Sequence, residues 1–398
     1  MATFSVDFLG CKVSHADAQA VRERLLADGH EERAGGDVAV VNTCCVTHEA
    51  LRKSRHAASR AARSHRRVYV TGCGANLSAD AFAGLPANVQ VIARRSEELA
   101  DAVSADVGAI GCVQADHRLD RVRAFVRIQD GCSFSCSFCV IPLVRGATRS
   151  RSAAAVLDEI RRRAGQGHQE VVLTGVNLGC FRDRAAGMTL AGLIRAAGAI
   201  DGLERLRLSS IEVNHVTPDL IAAMRATPVV SRHLHVPLQS GDDEVLRAMG
   251  RRYTIGQYRS RIEPLEDFNL TTDVIVGFPT EDERAFANTM AAVEAIGITK
   301  VHVFPYSPRP GTRTAGDDPV PRHVKRDRSA RLRAASDAAC RARWSNRVGS
   351  RDVVLVDRPG LGYADDYTPW LVDAPVGEVV RARAVGVAEE GVRAVVAA

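Results

Sequence analysis

Residues 131–139 read GCSFSCSFC and place thiols at Cys132, Cys136 and Cys139 in a CxxxCxxC spacing. Three thiolates can bind three irons of a four-iron cubane and leave the fourth iron without a protein ligand. An open iron of that kind chelates a small molecule through an amine and a carboxylate. A zinc site would want a fourth ligand and usually a C-x2-C knuckle. Three buried thiols on one helical face would show the same i, i+4, i+7 spacing. Gly131 ahead of the motif and Pro142 soon after it favour a loop, and with it a cluster.

Of the ten cysteines, three more occupy telling places. Cys11, Cys44 and Cys73 each stand just past a short apolar run, at residues 4–9, 38–41 and 68–70. Ligands of open α/β sheets gather at the carboxyl ends of strands, so the three read as one folded site. Cys45 beside Cys44 leaves the second member of that site ambiguous. Cys112, Cys180 and Cys340 match no motif and read as ordinary buried thiols. Residues 1–10 carry Asp7 and no basic segment, against a secretory signal, and no run of about 18 apolar residues suggests a membrane span. A cytoplasmic protein whose thiols serve as ligands rather than disulfides is expected.

The elements that must hold these residues follow from periodicity. In residues 1–115, strand-like runs at 4–9, 38–41, 68–70 and 89–92 alternate with helical patterns at 16–27 and 49–63. That order predicts a Rossmann-like α/β domain with a mostly parallel sheet. A second domain is expected over 118–345, where the alternation restarts from Val122 to about Tyr306, with strands at 124–128, 170–173, 205–208, 233–236, 272–276 and 300–304. Six units are too few for a closed eight-unit barrel, so a partial (β/α)6 barrel is predicted. A basic helix at 321–346 precedes a last domain, 346–398, whose short strands at 353–356, 367–372, 379–382 and 392–397 suggest a small antiparallel β-barrel.

The net charge of +6 matters less than its distribution. One basic cluster lies between Arg52 and Arg67 and another between Arg322 and Arg347, and both suit a polyanion such as RNA, although solvated helix faces would look alike. The last domain disagrees with that reading, because eight acidic residues there face six arginines.

The cluster motif resembles that of radical S-adenosylmethionine (SAM) enzymes. GCKV at 10–13, NTC at 42–44, TGC at 71–73, CVIPLVRG at 139–146, HLHVPLQSG at 233–241 and DVIVGFP at 273–279 narrow the resemblance to the methylthiotransferase family, over nearly the whole chain. LGCKV at 9–13, KSR at 53–55, LTGVN at 173–177 and SSIE at 209–212 are similar to its MtaB-like branch. That branch acts on N6-threonylcarbamoyladenosine at tRNA position 37. Its sister branches act on N6-isopentenyladenosine in tRNA or on a ribosomal-protein aspartate. A non-catalytic iron–sulfur electron carrier would need neither strand-end SAM contacts nor basic clusters.

The resemblance implies two 4Fe–4S clusters and SAM. Cys132, Cys136 and Cys139 would hold the SAM-binding cluster, where reduction of the sulfonium releases a 5′-deoxyadenosyl radical. Cys11, Cys44 and Cys73 would hold an auxiliary cluster bearing the sulfur to be transferred, with Cys44 preferred over Cys45 because it follows Asn-Thr as the family ligand does. One SAM would give the methyl group. A second would give the radical that attacks an aromatic C–H too inert for acid–base chemistry. SAM contacts are expected from Phe138, Gly175, Asn177, Ser210, Glu212, Gln239, Ser240 and Gly277, in the cluster loop or at strand ends. His233 and His235 share a strand face as interior hydrogen-bonding histidines or metal ligands, and Trp344 and Trp370 read as core or as base-stacking platforms. The last domain resembles the RNA-binding TRAM domain. The implied partners are a tRNA anticodon stem-loop and an electron donor such as flavodoxin or ferredoxin, acting on a monomer.

Overall fold

The segment VAVVNT is buried at every position, as expected of a strand covered on both faces. In the computed structural model, which describes residues 2–94, 96–108 and 122–397, it is the centre of a parallel sheet. The strands are β1 (Thr3–Phe8), β2 (Glu31–Glu32), β3 (Val38–Thr43), β4 (Arg67–Gly72) and β5 (Val89–Val91), in the order β2-β1-β3-β4-β5. Helices α1 (Lys12–Ala27) and α4 (Ser96–Val107) share a core with Phe4, Val38, Val40 and Tyr69 on one face. Helices α2 (His48–Ser64) and α3 (Cys73–Leu77) cover Ala39, Val41, Val68 and Val70 on the other. The period of two therefore sorts each strand between two helix layers. Two distant segments join this compact unit, which consists of Met1–His117, Asp130–Arg149 and Ser307–Gly316. The first of them carries helix α5 (Ile141–Arg145).

The second unit consists of Arg118–Gln129, Ser150–Tyr306 and Asp317–Ala398. Its six principal strands are β6 (Arg123–Asp130), β8 (Glu170–Gly175), β11 (Arg205–Leu208), β12 (His233–His235), β13 (Asn269–Val276) and β14 (Lys300–Pro305). They coincide with the six strands read from periodicity. One sheet runs β11-β8-β6-β7, with β7 (Arg149–Ser150) at its edge, and a second runs β12-β13-β14. Parallel bridges Leu206–Val230 and Ser210–His235 link the two into an open barrel. A small antiparallel pair, β9 (Arg182–Asp183) and β10 (Met188–Thr189), decorates one connection.

Six helices join these strands: α6 (Ala153–Gly165), α7 (Leu190–Ala197), α8 (Pro218–Ala226), α9 (Asp243–Ala248), α10 (Ile255–Ile262) and α11 (Glu283–Ile296). Each is preceded by a Ser, Thr or Asp whose side chain accepts a first-turn backbone N–H. Such a cap contributes about 1 kcal/mol. Their apolar faces close one core around Val126, Leu173, Leu206, Leu234 and Val274.

Helix α12 (Arg322–Asn346) leads into a closed barrel of β15 (Arg351–Arg358), β16 (Leu361–Tyr363), β17 (Pro369–Leu371), β18 (Val379–Ala388) and β19 (Gly391–Val396). The strand order is β15-β16-β17-β19-β18, around a fully buried Trp370. The antiparallel expectation needs one correction, because β17 and β19 pair in parallel. A barrel of five strands is odd-numbered, so it cannot close with every pair antiparallel.

Candidate active site

Cys11, Cys44 and Cys73 stand at the carboxyl ends of β1, β3 and β4, where the backbone leaves each strand. Cys11 caps α1, so its exposed thiol faces the positive end of a helix dipole. Cys44 is buried and pinned: its N–H donates to Ser54 Oγ at 3.0 Å, and Ser54 donates back to the Cys44 carbonyl at 3.3 Å. Gly72 holds φ at +85°, and a Cβ there would lie 2.0 Å from Asn42 Oδ1. A side chain at position 72 would push Cys73 off the end of β4. Burial raises the Cys44 thiol and lifts that of Cys73 to about 12, and the charge of Cys11 raises both. Cys45 is fully buried in a cluster with Cys73, Val140 and Val144, and burial raises it most strongly.

Two guanidinium groups flank these thiols. Arg145 Nε donates to Cys73 Sγ at 3.1 Å, while Nη1 reaches Asp130 at 3.0 Å and Nη2 reaches Asp17 at 2.7 Å. Arg309, 2% exposed, donates to the Cys45 carbonyl at 3.3 Å and approaches His48 Nδ1 at 3.1 Å, and its Nε is buried without a partner. Sequence reasoning gave neither arginine a role. A lone Arg within the apolar stretch VIPLVR was the available signal.

The CxxxCxxC loop has its own clamps. Gly131 holds φ at +68°, and a Cβ there would meet Ala147 O at 2.1 Å. Cys132 N–H donates to Gly146 O at 3.0 Å, and Ser133 and Thr148 exchange two hydrogen bonds of 3.1 Å. Arg313 donates to Ser135 O at 2.6 Å and Thr314 N–H to Ser137 O at 3.2 Å. Cys132, Cys136, Cys139 and Phe138 are half-buried in it.

In the second unit, the strand-end residues fall into two groups. Gly175 ends β8 against Gln129, whose Oε1 accepts the Asn177 N–H at 2.7 Å. Asn177 Oδ1, Thr174 Oγ1 and Ser209 Oγ are buried without hydrogen-bond partners. Ser210 is half-buried, and Gln239, at φ 68°, pairs with Val274. The others are engaged by the fold itself. Glu212 accepts from Asn214 N at 2.9 Å, Ser240 is fully buried and accepts from Asp242 N at 3.2 Å, and Gly277 N–H donates to Glu281 at 2.6 Å. His233 and His235 both bond Thr271 Oγ1, at 3.1 and 2.9 Å. Cys340 donates to Thr299 O at 2.9 Å, Cys180 lies 3.3 Å from His215 Nε2, and Cys112 is outside the described residues.

Residues 126–293 match the Radical SAM superfamily, and residues 3–94 match the Uncharacterized protein family UPF0004. A protein of Chlamydia pneumoniae named threonylcarbamoyladenosine tRNA methylthiotransferase MtaB is 32% identical, across 93% of this chain and 90% of that one. The chain belongs to the radical SAM methylthiotransferase family. A tRNA-2-methylthio-N(6)-dimethylallyladenosine synthase of Saccharophagus degradans is 35% identical to this methylthiotransferase, across 87% of this chain and 83% of that protein. Among solved structures, the radical S-adenosylmethionine methyltransferase TsrM of Kitasatospora setae shares its fold. The TM-score is 0.57 at 14% identity, over 79% of this chain and 76% of that one.

The donor sets of the methylthiotransferase fit its family's cofactors. Among the described residues no three His, Cys, Asp or Glu side chains are grouped around a point for one metal ion. A cubane asks for something else, since each thiolate meets a separate iron. Thiols raised by burial give up their protons as metal binds, and adjacent guanidinium groups offset the resulting negative charge. The three unpartnered oxygens at the ends of β8 and β11 are the kind of group a polar ligand such as SAM would satisfy.

The basic residues of the methylthiotransferase separate into paired and unpaired sets. In α12, Arg328 bonds Glu281 at 2.8 Å, Arg331 bonds Glu283 at 2.6 Å and Arg343 bonds Asp366 at 2.7 Å. Arg322, Arg326, Arg333 and Arg341 are exposed and make no ion pair among the described residues. The spacing of the first three keeps them on one helix face. The acidic last domain is resolved in the same way. Asp352, Asp357, Asp365 and Asp366 pair with Arg347, Arg123, Arg205 and Arg343. What the outer face of β15, β18 and β19 presents is Arg351, Arg381, Arg383 and Arg393 among exposed Val353, Val385 and Val395. Arg351 lies directly opposite Arg383 in the ladder, an unfavourable placement without an anionic partner.

Proposed function

We propose that this methylthiotransferase acts on tRNA, placing a methylthio group at C2 of N6-threonylcarbamoyladenosine on the 3′ side of the anticodon. The observation that carries the reading is similarity over nearly the full chain to a threonylcarbamoyladenosine tRNA methylthiotransferase. Cys132, Cys136 and Cys139 would hold the SAM-binding cluster, and Cys11, Cys44 and Cys73 the auxiliary one. Together these would supply the radical and sulfur chemistry. The chain's own residues orient and neutralise. Gln129 fixes the backbone at Asn177, while Thr174, Asn177 and Ser209 offer polar atoms at strand ends. Cys44 is preferred to Cys45 for the auxiliary set because it follows Asn42-Thr43 and, like Cys73, feels the charge of Cys11, whereas the thiols whose charge Cys45 feels are Cys73 and Cys44.

The unpaired arginines of α12 and of the β15–β18–β19 face support a polyanionic substrate. A cytoplasmic site of action accords with that substrate. The test is mass spectrometry of tRNA nucleosides from cells with and without the protein. Loss of 2-methylthio-N6-threonylcarbamoyladenosine is expected. Loss of the isopentenyl analogue instead, or of a methylthiolated ribosomal-protein aspartate, would overturn the assignment.

A further inference from the structure

Arg145 uses all three faces of its guanidinium on three separate parts of the first unit. Its Nε–H meets the Cys73 sulfur, Nη1 meets the Asp130 carboxylate and Nη2 meets that of Asp17. Asp17 belongs to α1, the helix that Cys11 caps, and Asp130 is the residue before Gly131-Cys132. The three charged side chains are 2–4% exposed. Water therefore screens them weakly, and a change in any one is felt by the others. Lys in place of Arg145 would carry the same charge but not a planar fork able to serve three acceptors in fixed directions.

A donor aimed at a ligand sulfur, together with a buried positive charge, favours the more reduced and more anionic state of an iron–sulfur cluster. The two carboxylates aim the fork and temper its charge. We propose that Arg145 is a positioning residue that raises the reduction potential of the auxiliary cluster and ties Cys73 to the loop carrying Cys132. This inference rests on the reading of Cys11, Cys44 and Cys73 as cluster ligands.

The experiment uses the full chain with Cys132, Cys136 and Cys139 all replaced by Ala, so that one cluster is titrated alone. Redox titration followed by electron paramagnetic resonance is run on that parent and on Arg145→Gln, Arg145→Lys and Asp17→Asn within it. At the potential where the parent is half reduced, Arg145→Gln should lower the reduced-to-oxidised ratio roughly tenfold, equivalent to about 59 mV for one electron. Arg145→Lys should recover part of that loss. Asp17→Asn should move the ratio the other way, because it leaves the guanidinium charge less compensated. An unmoved midpoint in cluster-loaded Arg145→Gln overturns the inference and leaves the ligand reading standing. If Arg145→Gln fails to load a cluster, Arg145→Lys and Asp17→Asn decide, and shifts of the same sign in those two overturn it. A parent that holds no cluster overturns the ligand reading and the inference with it.

Discussion

Arg207 and Glu170 form a two-pronged ion pair, with Nε to Oε1 at 3.0 Å and Nη2 to Oε2 at 3.2 Å, and neither side chain is more than 1% exposed. Glu170 begins β8, and Arg205 reaches the same carboxylate from the start of β11. From this amino-end face of the open barrel, Arg205 donates to the carbonyls of Tyr363 and Val353, and Arg207 to that of Asp365. Arg207 also lies over the Tyr367 ring, 4.4 Å from its centre. The C-terminal barrel is thus docked on the amino ends of the strands through charge, while their carboxyl ends carry the residues read as SAM contacts.

Removing one partner of a buried pair strands the other, at a cost of about 3–5 kcal/mol. Glu170→Gln should therefore lower the unfolding free energy of the second unit by an amount of that order, read as a lower denaturant midpoint. Both tryptophans, Trp344 and Trp370, lie in or beside the C-terminal barrel, so their fluorescence reports it. Burial alone would raise the Glu170 carboxyl, but Arg207, Arg123 and Arg205 hold it at about 2 against an ordinary 4.5. A depressed carboxylate contributes its full stability above its ordinary value and loses it as pH falls toward the folded value. The fluorescence-detected stability of the parent should fall between pH 4.5 and about 2. Glu170→Gln should show a shallower decline, and equal slopes would contradict this account.

Cys44 and Cys45 should separate by iron content. If the protein holds the two proposed clusters, Cys44→Ala should cost it about four of about eight irons, and Cys45→Thr should cost none. Cys45 packs against Val140, Val144 and Cys73, and its expected role is packing beside the ligands rather than ligation. Anaerobic reconstitution followed by iron assay checks this, and the reverse pattern would exchange the two roles.

Gly131→Ala tests the loop. Alanine at φ +68° is strained, and its Cβ would press on Ala147 O. The variant should retain about four irons and lose SAM cleavage, since the loop would have to open to accommodate the methyl group. Full iron content with normal SAM cleavage would show that the turn is not needed to shape the site.

Much of this architecture was legible in the chain because burial on both faces leaves continuous apolar runs such as those of β3 and β8. The thiols at 132, 136 and 139 stand out in the chain because their spacing is local, whereas Cys11, Cys44 and Cys73 stand out only because each follows an apolar run. What escaped was tertiary or very short. Strands β2 and β16 have two and three residues, too few to show a period. Asp357 and Asp365 count as surface acids in any sequence tally, yet their partners Arg123 and Arg205 are remote in the chain. For Arg145, the sequence shows a cation beside a cluster motif, and only folding brings Asp17 and Cys73 to it.

The unpaired arginines give the last prediction. Each phosphate neutralised by Lys or Arg steepens the loss of affinity with salt, by about 0.9 on a duplex and about 0.7 on a single strand. Arg326, Arg333 and Arg341 project from α12 without ion pairs among the described residues, and Arg351, Arg381 and Arg383 do so from the barrel face. Replacing either trio with Gln should weaken tRNA binding and flatten the log-affinity against log-salt slope by about two to three, if all three meet phosphates. Arg331 is an internal control: it is exposed on the same helix but held by Glu283 at 2.6 Å. Arg331→Gln should leave the slope within about one unit of the parent. Iron content and SAM cleavage without tRNA should persist in all three variants, since none touches the cluster loop. A slope that changes with the barrel trio and not with the α12 trio would place the RNA path on β15, β18 and β19. Unchanged slopes in both, in folded and cluster-loaded protein, would move the search to the exposed Arg60, Arg63 and Arg66 of the first unit.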